Sequence, residues 1–469
     1  MVHNFKIKQH QDLKSFASPD FLDQDFENFL KDASSLLCNW ISKAGTSNPL
    51  PNISKFPDIE PKANGLTREE LLKDLFSVME GAYQPSHPGS LAHLDPPPNT
   101  ASVAADLICA GLNNNLLADE LSPTLSYLER KLCKWLACRM GMPQNSGGIA
   151  ASGGTISNLM ALVLARHSSG LEFDPKAVFL ISEDAHVSFI KALRVMGLPS
   201  SALQKVSTNK FGQLSTNSLI ENYYQLKTEG KKCFAVIGTA GTTVRGAVDP
   251  LKQISDFCLA NDLWFHIDAA IGGTFALSDN TSSIFEGISL ADSITLNPQK
   301  LLGIAKTSSV LLVADKSKLL STFSTGLPYI DPSIEDDGHL GEMGLQGSRP
   351  GEVLKLWLGL RQLGEYGIKD IIDNAIQRRL YFQNIIDPSL FNIISGPLHL
   401  ISFSPLNFDI NQSEKWSRET RNMLLNKDFM LSRPLYHGIH YLKSVMGNPH
   451  TKLYHLDKLA YLINTSLSD

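Results

Sequence analysis

Residues Asp292 to Lys300 read Asp-Ser-Ile-Thr-Leu-Asn-Pro-Gln-Lys, and residues Phe265 to Ala270, just before them in the chain, read Phe-His-Ile-Asp-Ala-Ala. Each segment is a short apolar run that ends in polar groups, as a buried strand does when it delivers side chains to the rim of a sheet. Asp268 follows the first run, and Lys300 follows the second, 32 residues later. The sequence therefore predicts a carboxylate and an amine at the ends of two strands.

This pair of side chains suits a site for pyridoxal 5'-phosphate (PLP). A lysine amine can bond to the aldehyde of PLP, and a carboxylate can pair with the pyridinium nitrogen so that the ring accepts electrons. Either fragment alone has an ordinary explanation, because a lysine after a strand is usually a solvated loop residue. The other motifs of the chain decide between the two explanations.

A glycine-rich turn lies upstream, at Ser152-Gly153-Gly154-Thr155. The glycines let the backbone approach a ligand closely, and a helix predicted over 158–166 follows, so that amide groups at its start can bind a phosphate. The spacing matches neither of the common nucleotide-binding motifs, Gly-x-x-x-x-Gly-Lys-Ser/Thr and Gly-x-Gly-x-x-Gly. The turn is therefore a candidate phosphate site outside the nucleotide-binding classes.

Two further turns follow predicted strands in the middle of the chain. The strand over 177–182 leads through Ala185-His186 into a helix, and the strand over 232–239 leads into Gly241-Thr242-Thr243. A histidine at such a turn faces the same rim as the residues above, although its position alone favours a capping or solvated histidine. Asp249-Pro250 predicts the start of the next helix, with Asp249 as its cap.

Six motifs in this order give the chain a family resemblance. It resembles the group II PLP-dependent amino acid decarboxylases, which include glutamate, aromatic amino acid and 2,4-diaminobutyrate decarboxylases. The resemblance runs from about Pro85 to Thr451 and rests on Ser152-Gly153-Gly154-Thr155, Ala185-His186, Gly241-Thr242-Thr243 with Gly246 and Asp249, Asp268-Ala269-Ala270, Asn297-Pro298-x-Lys300 and Leu354-Lys355-Leu356-Trp357.

The resemblance implies an α/β fold of the PLP-dependent transferase type (fold type I). Its large domain has a mostly parallel seven-stranded sheet, and a smaller α+β domain follows at the C-terminus. We place an N-terminal helical arm at 1–83, the large PLP-binding domain at 84–360 and the small domain at 361–469. In the family the arm packs across a partner subunit, which implies a homodimer with the active site at or near the interface; a surface extension on a monomer is the alternative.

The resemblance also assigns roles to individual residues. Lys300, His186 and Asp268 are the expected catalytic residues: the lysine carries the cofactor, the histidine stacks on its ring and orients the substrate carboxylate, and the aspartate pairs with the ring nitrogen. His93, Gln299 and Tyr329 are candidates for the substrate pocket. The expected cofactor-binding residues are Gly153, Gly154, Thr155, His186, Thr243, Asp268, Ala270, Asn297 and Lys300.

The implied reaction is α-decarboxylation of an L-amino acid to the amine and carbon dioxide. Two departures from the family keep other outcomes open: Gln299 stands where histidine is common, and the loop between Asp331 and Pro350 lacks the tyrosine that usually protonates the intermediate. Either Tyr329 substitutes, another acid acts, or protonation fails. The alternatives are decarboxylation-dependent oxidative deamination, another PLP reaction on this fold, and a non-catalytic homologue that acts in binding or assembly.

Composition narrows the class of partner. The 469 residues carry a net charge of −5, with a pI near 6.2, and the basic residues are scattered, so we expect no nucleic acid partner. The six cysteines lack metal-ligand spacing, and no apolar run approaches membrane-spanning length. We therefore expect a cytoplasmic enzyme without a metal or membrane partner. The sequence leaves open which amino acid, of 2,4-diaminobutyrate, glutamate or aromatic type, is the substrate.

Overall fold

The computed structural model describes residues 15–51, 57–326, 330 and 338–467. The contacts between residues divide the chain into two compact units, the first ending at His87 and the second beginning at Pro88. Tyr329, a predicted pocket residue, lies outside the described residues.

Helices α1 (Gln24–Ser42) and α2 (Arg68–Glu80) lie in the first unit. The Asp23 side chain caps α1, and Thr67 and Glu70 form a reciprocal capping box at the start of α2. These caps satisfy amide groups that have no partner within a helix. Neither helix has a buried residue, so local capping rather than a core defines both.

The second unit alternates strands and helices before it ends in a smaller α+β region. Its described strands are β1 (Gly147–Ala151), β2 (Ala177–Ser182), β3 (Leu203–Val206), β4 (Lys232–Thr239), β5 (Trp264–Ala269), β6 (Ser293–Leu296), β7 (Ser309–Val313), β8 (Phe391–Ser395), β9 (Leu400–Pro405), β10 (Leu435–Tyr436), β11 (Ile439–His440) and β12 (Leu442–Val445). Its described helices are α3 (Thr100–Leu112), α4 (Pro123–Arg139), α5 (Gly154–Ser168), α6 (Ser188–Val195), α7 (Thr216–Thr228), α8 (Leu251–Ala260), α9 (Gly272–Phe275), α10 (Ser317–Phe323), α11 (Val353–Ile385), α12 (Ile410–Leu425) and α13 (Leu453–Asn464).

A seven-stranded sheet forms the centre of this unit, in the order β1-β7-β6-β5-β4-β2-β3. Strands β6, β5, β4, β2 and β3 are parallel, while β7 pairs antiparallel with both β6 and β1. Every residue of β2 and of β5 is buried, as expected for parallel strands covered on both faces. The predicted α/β class and mostly parallel seven-stranded sheet are confirmed.

A second, antiparallel sheet lies toward the C-terminus, in the order β12-β9-β8. It shares an apolar core with α12 and α13, centred on Phe391, Phe403 and Trp416, while the first sheet has its own core. Helix α11 contributes to both cores and is interrupted at Gly364, whose φ of 63° departs from helical geometry. The predicted domain limit at 360/361 falls inside this helix and stays a prediction.

The expected helix cap at Asp249 is wrong. Helix α8 begins at Leu251, and no side chain of the described residues caps it. The Asp249 carboxylate is buried and accepts hydrogen bonds from the backbone amides of Leu214 and Thr239, each at 2.7 Å. It therefore ties the end of β4 to the loop before α7. In the part of the chain that the structure describes, no helix is long and apolar enough to cross a membrane.

We expect stability to fall in mild acid because of His399, which precedes β9. Its ring is fully buried, and neither nitrogen has a hydrogen-bond partner among the described residues. Burial lowers its pKa to about 3, whereas an unfolded histidine titrates near about 6.5. A lowered pKa gives stability that is present above the unfolded value and lost as pH falls toward the folded value, on the order of 3 kcal/mol by pH ~4.

Chemical denaturation at a series of pH values measures this effect. We expect His399→Leu, which removes the titrating ring, to flatten the loss of unfolding free energy between about pH 6.5 and 4. The same change at the exposed His450 is the control and should flatten it less. Equal slopes for the wild type and His399→Leu would contradict the expectation.

Candidate active site

The carboxyl ends of the central strands meet at one edge of the sheet. Strands β2, β4, β5 and β6 are parallel, and β1 points the same way because β7 lies antiparallel between it and β6. Ligands of open α/β sheets bind at this edge. A cavity of about 270 Å³ is found there, lined by Ser152, Gly153, Gly154, Thr155, Asn158, Asp184, His186, Thr239, Gly241, Thr242, Thr243, Asp268, Ala270, Ile271, Asn297, Gln299 and Lys300.

The structure brings the predicted cofactor residues together, although their roles in binding stay predictions. All nine of them line this one cavity, and so does the pocket candidate Gln299. His93 is exposed and is not among the lining residues. Its pKa is lowered by burial of part of the ring, with Lys443 adding to that effect.

Asp268 stands near the end of β5 and is 5% exposed. Its Oδ2 accepts a hydrogen bond from Asn158 Nδ2 at 2.9 Å, and its Oδ1 accepts one from the backbone amide of Ala270 at 3.1 Å. Hydrogen bonds to the charged form of a carboxyl group favour that form. Both oxygens of the buried carboxylate therefore have hydrogen-bond donors, and the group lies where it can pair with a positively charged ring nitrogen.

Lys300 follows β6 after a short turn in which its amide donates to the Asn297 carbonyl at 3.0 Å. The side chain is partly buried. Burial lowers the pKa of its ammonium group, and the charges of Asp268 and Asp95 oppose that shift. A lower pKa increases the fraction of neutral amine, which is the form that attacks an aldehyde. The cavity thus contains a lysine suited to carry a carbonyl cofactor.

His186 lies in the turn between β2 and α6. Its Nδ1 accepts a hydrogen bond from the backbone amide of Ser188 at 3.2 Å. Burial lowers its pKa, with Asp268 acting in the opposite direction. Because Nδ1 is the acceptor, the neutral ring carries its proton on Nε2. That N–H can donate to a carboxylate in the cavity.

The glycine turn leads directly into α5, which begins at Gly154. Gly153 has a φ of 97°, and a Cβ on it would meet no atom within 4 Å. A Cβ on Gly154 would approach Asn297 Nδ2 to 2.7 Å, so the Asn297 amide lies against the helix start. Its Oδ1 accepts from Ser309 at 2.6 Å, which leaves the Nδ2 donors for a ligand. Among the described residues no side chain caps α5, so its first amides are available to bind an anion.

These residues fit PLP. The group has an anionic phosphate for the α5 amides, an aldehyde for Lys300 and a ring nitrogen for Asp268. Thr239, the register neighbour of Asp268 on β4, adds a buried hydroxyl that has no hydrogen-bond partner in the described part of the chain. When bound, PLP supplies a ring that accepts electrons from a bond broken at the substrate α carbon. The fold and the site together define a PLP-dependent enzyme of fold type I.

The comparisons identify the family. The pyridoxal-dependent decarboxylase conserved domain matches residues 53–404. The aromatic-L-amino-acid decarboxylase of Bacillus atrophaeus is 32% identical over 317 residues, 67% of this chain and 66% of that protein. The acidic amino acid decarboxylase of Xenopus tropicalis is 31% identical over 379 residues, 77% of this chain and 74% of that protein.

Solved structures agree with these matches. The crystal structure of mouse CSAD in apo form superposes with a TM-score of 0.87 at 25% identity, covering 94% of this chain and 98% of that one. The chain therefore belongs to the pyridoxal-dependent decarboxylase family. The prediction of a PLP-dependent carboxy-lyase that acts on an amino acid is confirmed.

Sequence reasoning missed Lys443, a lysine in the apolar strand β12. It is 7% exposed, and its Nζ donates to the carbonyl of Thr243 at 3.2 Å. Burial lowers its pKa to about 8, and the charge of Lys300 adds to that effect. Thr243 lines the cavity, so Lys443 places a buried cation beside the site. A charged residue inside an apolar run was the available signal.

Asp184, two residues before His186, was also missed. It lines the cavity, and its Oδ2 accepts a hydrogen bond from the hydroxyl of Tyr436 at 2.6 Å. His437 Nε2 is 3.5 Å from its Oδ1. Both partners come from a region about 250 residues later in the chain, so the local sequence around Asp184 could not predict the contact. The carboxylate is thus held by the C-terminal part of the protein.

We expect Gly153→Ala to weaken PLP binding by roughly tenfold or more, because the added methyl group and the positive φ disturb the phosphate site. Gly170→Ala is the matched control: Gly170 follows the same helix, has a φ of 67° and likewise has no atom within 4 Å of a Cβ. Titration of cofactor-free protein with PLP measures both affinities. Equal affinities in the two variants would show that Gly153 has no part in the phosphate site.

Proposed function

We propose that this enzyme removes the α-carboxyl group of an L-amino acid whose side chain carries a second acidic group, giving the amine and carbon dioxide. The observation that carries the substrate class is the buried Lys443 beside the cavity. Among the described residues it has no carboxylate within ion-pair distance, whereas buried charges are normally paired. An anionic group of the substrate is a suitable partner.

Each of the three predicted catalytic residues has a task that its position supports. Lys300 holds the cofactor until the substrate amine takes its place. The anionic Asp268 lies where it favours a protonated ring nitrogen, because an opposite charge nearby stabilises the charged form. His186 donates through Nε2 to the substrate carboxylate and orients the bond that breaks.

Gln299 supports the same substrate class. Its Oε1 accepts from the backbone amide of Ser308 at 2.7 Å, so the amide oxygen is occupied and its two N–H donors remain for a ligand. Donors suit a carboxylate. The other cavity carboxylate besides Asp268, Asp184, already accepts from Tyr436. The polar groups left for a substrate side chain are therefore mainly donors.

A carbon dioxide release assay over the common amino acids and cysteine sulfinate tests the proposal. We expect an acidic substrate to exceed aromatic and basic ones by about 100-fold or more in kcat/KM, the value of a buried charge pair. Lys300→Ala, which removes the cofactor-bonding amine, is the blank. A preference for 2,4-diaminobutyrate or an aromatic substrate would overturn the acidic class while leaving decarboxylation intact.

Product analysis in the same incubations separates the chemical alternatives. We expect amine and carbon dioxide in equal amounts. Aldehyde and peroxide in place of amine would show oxidative deamination instead, and turnover without carbon dioxide would show another PLP reaction. A protein that binds PLP through Lys300 but turns over none of the substrates would indicate a binding or assembly role.

We also propose that the protein is a homodimer. Helices α1 and α2 expose large apolar side chains, including Phe26, Leu75, Phe76 and Val78, and bury none. Large apolar side chains exposed on both helices favour an interaction site. Light scattering of the purified protein should give twice the chain mass of 51.5 kDa; a monomer mass at micromolar concentration would refute the proposal.

We further propose that the enzyme is cytoplasmic. All six cysteines are free, and unpaired thiols are typical of a reducing compartment. Fractionation of cells that express the full chain is the direct check.

A further inference from the structure

A row of buried polar side chains leads to Asp268. Trp264, His266 and Asp268 alternate along β5 and therefore share one face of the sheet. Ser293 of β6 is the register partner of His266. Asn158 comes from α5, which packs on β5 and β6. The row consists of five side chains from three elements, and none of the cofactor motifs includes the middle three.

The contacts along the row are all of hydrogen-bond length. Trp264 Nε1 lies 2.9 Å from Ser293 Oγ, which lies 2.9 Å from His266 Nδ1. His266 Nε2 lies 3.2 Å from Asn158 Oδ1, and Asn158 Nδ2 lies 2.9 Å from Asp268 Oδ2. His266 is fully buried and Asn158 is 1% exposed. Water therefore does not compete for these contacts.

The chemistry of the groups fixes the direction of the first half of the row. An indole N–H can only donate, so Ser293 Oγ accepts from Trp264. The serine hydroxyl then has its own proton left to donate, and His266 Nδ1 is the acceptor at 2.9 Å. A neutral imidazole that accepts at Nδ1 carries its proton on Nε2. The Trp264 indole, acting through Ser293, therefore sets the Nε2-protonated tautomer of His266.

The second half of the row continues in the same direction. His266 Nε2–H donates to Asn158 Oδ1, which orients the amide. The two hydrogens of Asn158 Nδ2 then go to Asp268 Oδ2 and to Ser188 Oγ, the latter at 3.0 Å. The opposite amide orientation would set its oxygen against the carboxylate at 2.9 Å. The indole at one end of the row and the carboxylate at the other therefore require the same assignment of donors and acceptors along it.

We propose that His266 and Asn158 are positioning residues for catalysis: the hydrogen-bond row Trp264–Ser293–His266–Asn158 holds a permanently oriented N–H donor on Asp268. The oriented donor fixes the rotamer of the carboxylate at the position from which it would pair with the ring nitrogen of the cofactor. Because the inference rests on the assignment of Asp268 to the ring nitrogen, it does not depend on the substrate class.

Burial supports this direction of the row. It lowers the pKa of His266 to about 4, although the charge of Asp268 opposes the shift. The ring is therefore neutral near pH 7 and keeps Nδ1 as an acceptor. A charged ring would carry a proton on Nδ1 and would compete with the Ser293 hydroxyl. Phe189, edge-on to the imidazole with centroids 6.2 Å apart, helps to exclude water.

The first test measures the tautomer in unmodified, cofactor-free protein. Nitrogen-15 NMR of histidine-labelled protein, with the His266 signals assigned by their loss in His266→Gln, reports the proton on each ring nitrogen. We expect a neutral ring protonated on Nε2 from about pH 6 to 8. A proton on Nδ1, or a charged ring in this range, would overturn the proposal whatever the substrate turns out to be.

The second test compares variants as loaded enzyme. We expect Asn158→Leu to lower kcat by about 10- to 100-fold with little change in KM, as for the loss of one hydrogen bond to a charged group. Ser157→Ala is the control, since Ser157 is a buried neighbour on α5 that bonds Thr295 at 2.8 Å and is not part of the row. Equal kcat values in the two variants would refute the proposal.

A conservative rescue separates hydrogen bonding from packing. His266→Gln keeps a donor for Asn158 and an acceptor for Ser293, whereas His266→Leu retains side-chain volume but neither hydrogen-bonding group. We expect His266→Gln to retain at least about tenfold more kcat than His266→Leu, with the visible absorption of bound PLP closer to that of the wild type. Identical spectra and rates in both variants would assign His266 a packing role alone.

Discussion

The rest of the site depends on one constraint, which is that the buried carboxylate of Asp268 must be compensated. A charge removed from water costs free energy unless hydrogen bonds and an opposite charge compensate for it. Here one oxygen accepts from the Ala270 amide and the other from Asn158. Because Asn158 belongs to α5, this requirement joins β5 to that helix. The anion site at the first turn of α5 is thereby set at a fixed distance from Asp268, since four helical residues rise about 6 Å.

The cations of the site complement this arrangement. Burial lowers the pKa of both Lys300 and Lys443, and the charge of Lys300 lowers the pKa of Lys443 further. A partly buried and a buried ammonium group in one region are costly when both are charged. Bonding of the Lys300 amine to an aldehyde removes one of these charges, and a substrate carboxylate would compensate for the other. The site is thus electrostatically more favourable with its ligands than without them.

Much of the fold and of the cavity could be predicted from local sequence. The apolar runs of β5 and β6 end in Asp268 and Lys300, and glycines mark the turn before α5, so the edge of the sheet was visible in the residue order. The role of Asn158 could not be predicted, because the sequence does not show which face of the helix an asparagine occupies. Tyr436 of β10 and Lys443 of β12 reach the site only through the packing of the C-terminal region. The cap predicted at Asp249 was wrong because Asp-Pro is a common helix start, whereas the contacts that Asp249 makes with Leu214 and Thr239 cannot be read from the local sequence.

The placement of β7 has a consequence for how the protein is made. Strand β1 carries the glycine turn at its end, yet its partner in the sheet is β7, more than 150 residues later. During synthesis the glycine turn therefore leaves the ribosome long before β7, the strand that pairs with β1. Pairing over such a separation is slow because the intervening chain must first be ordered. A complete phosphate-binding turn therefore requires that the chain has been synthesised at least as far as β7.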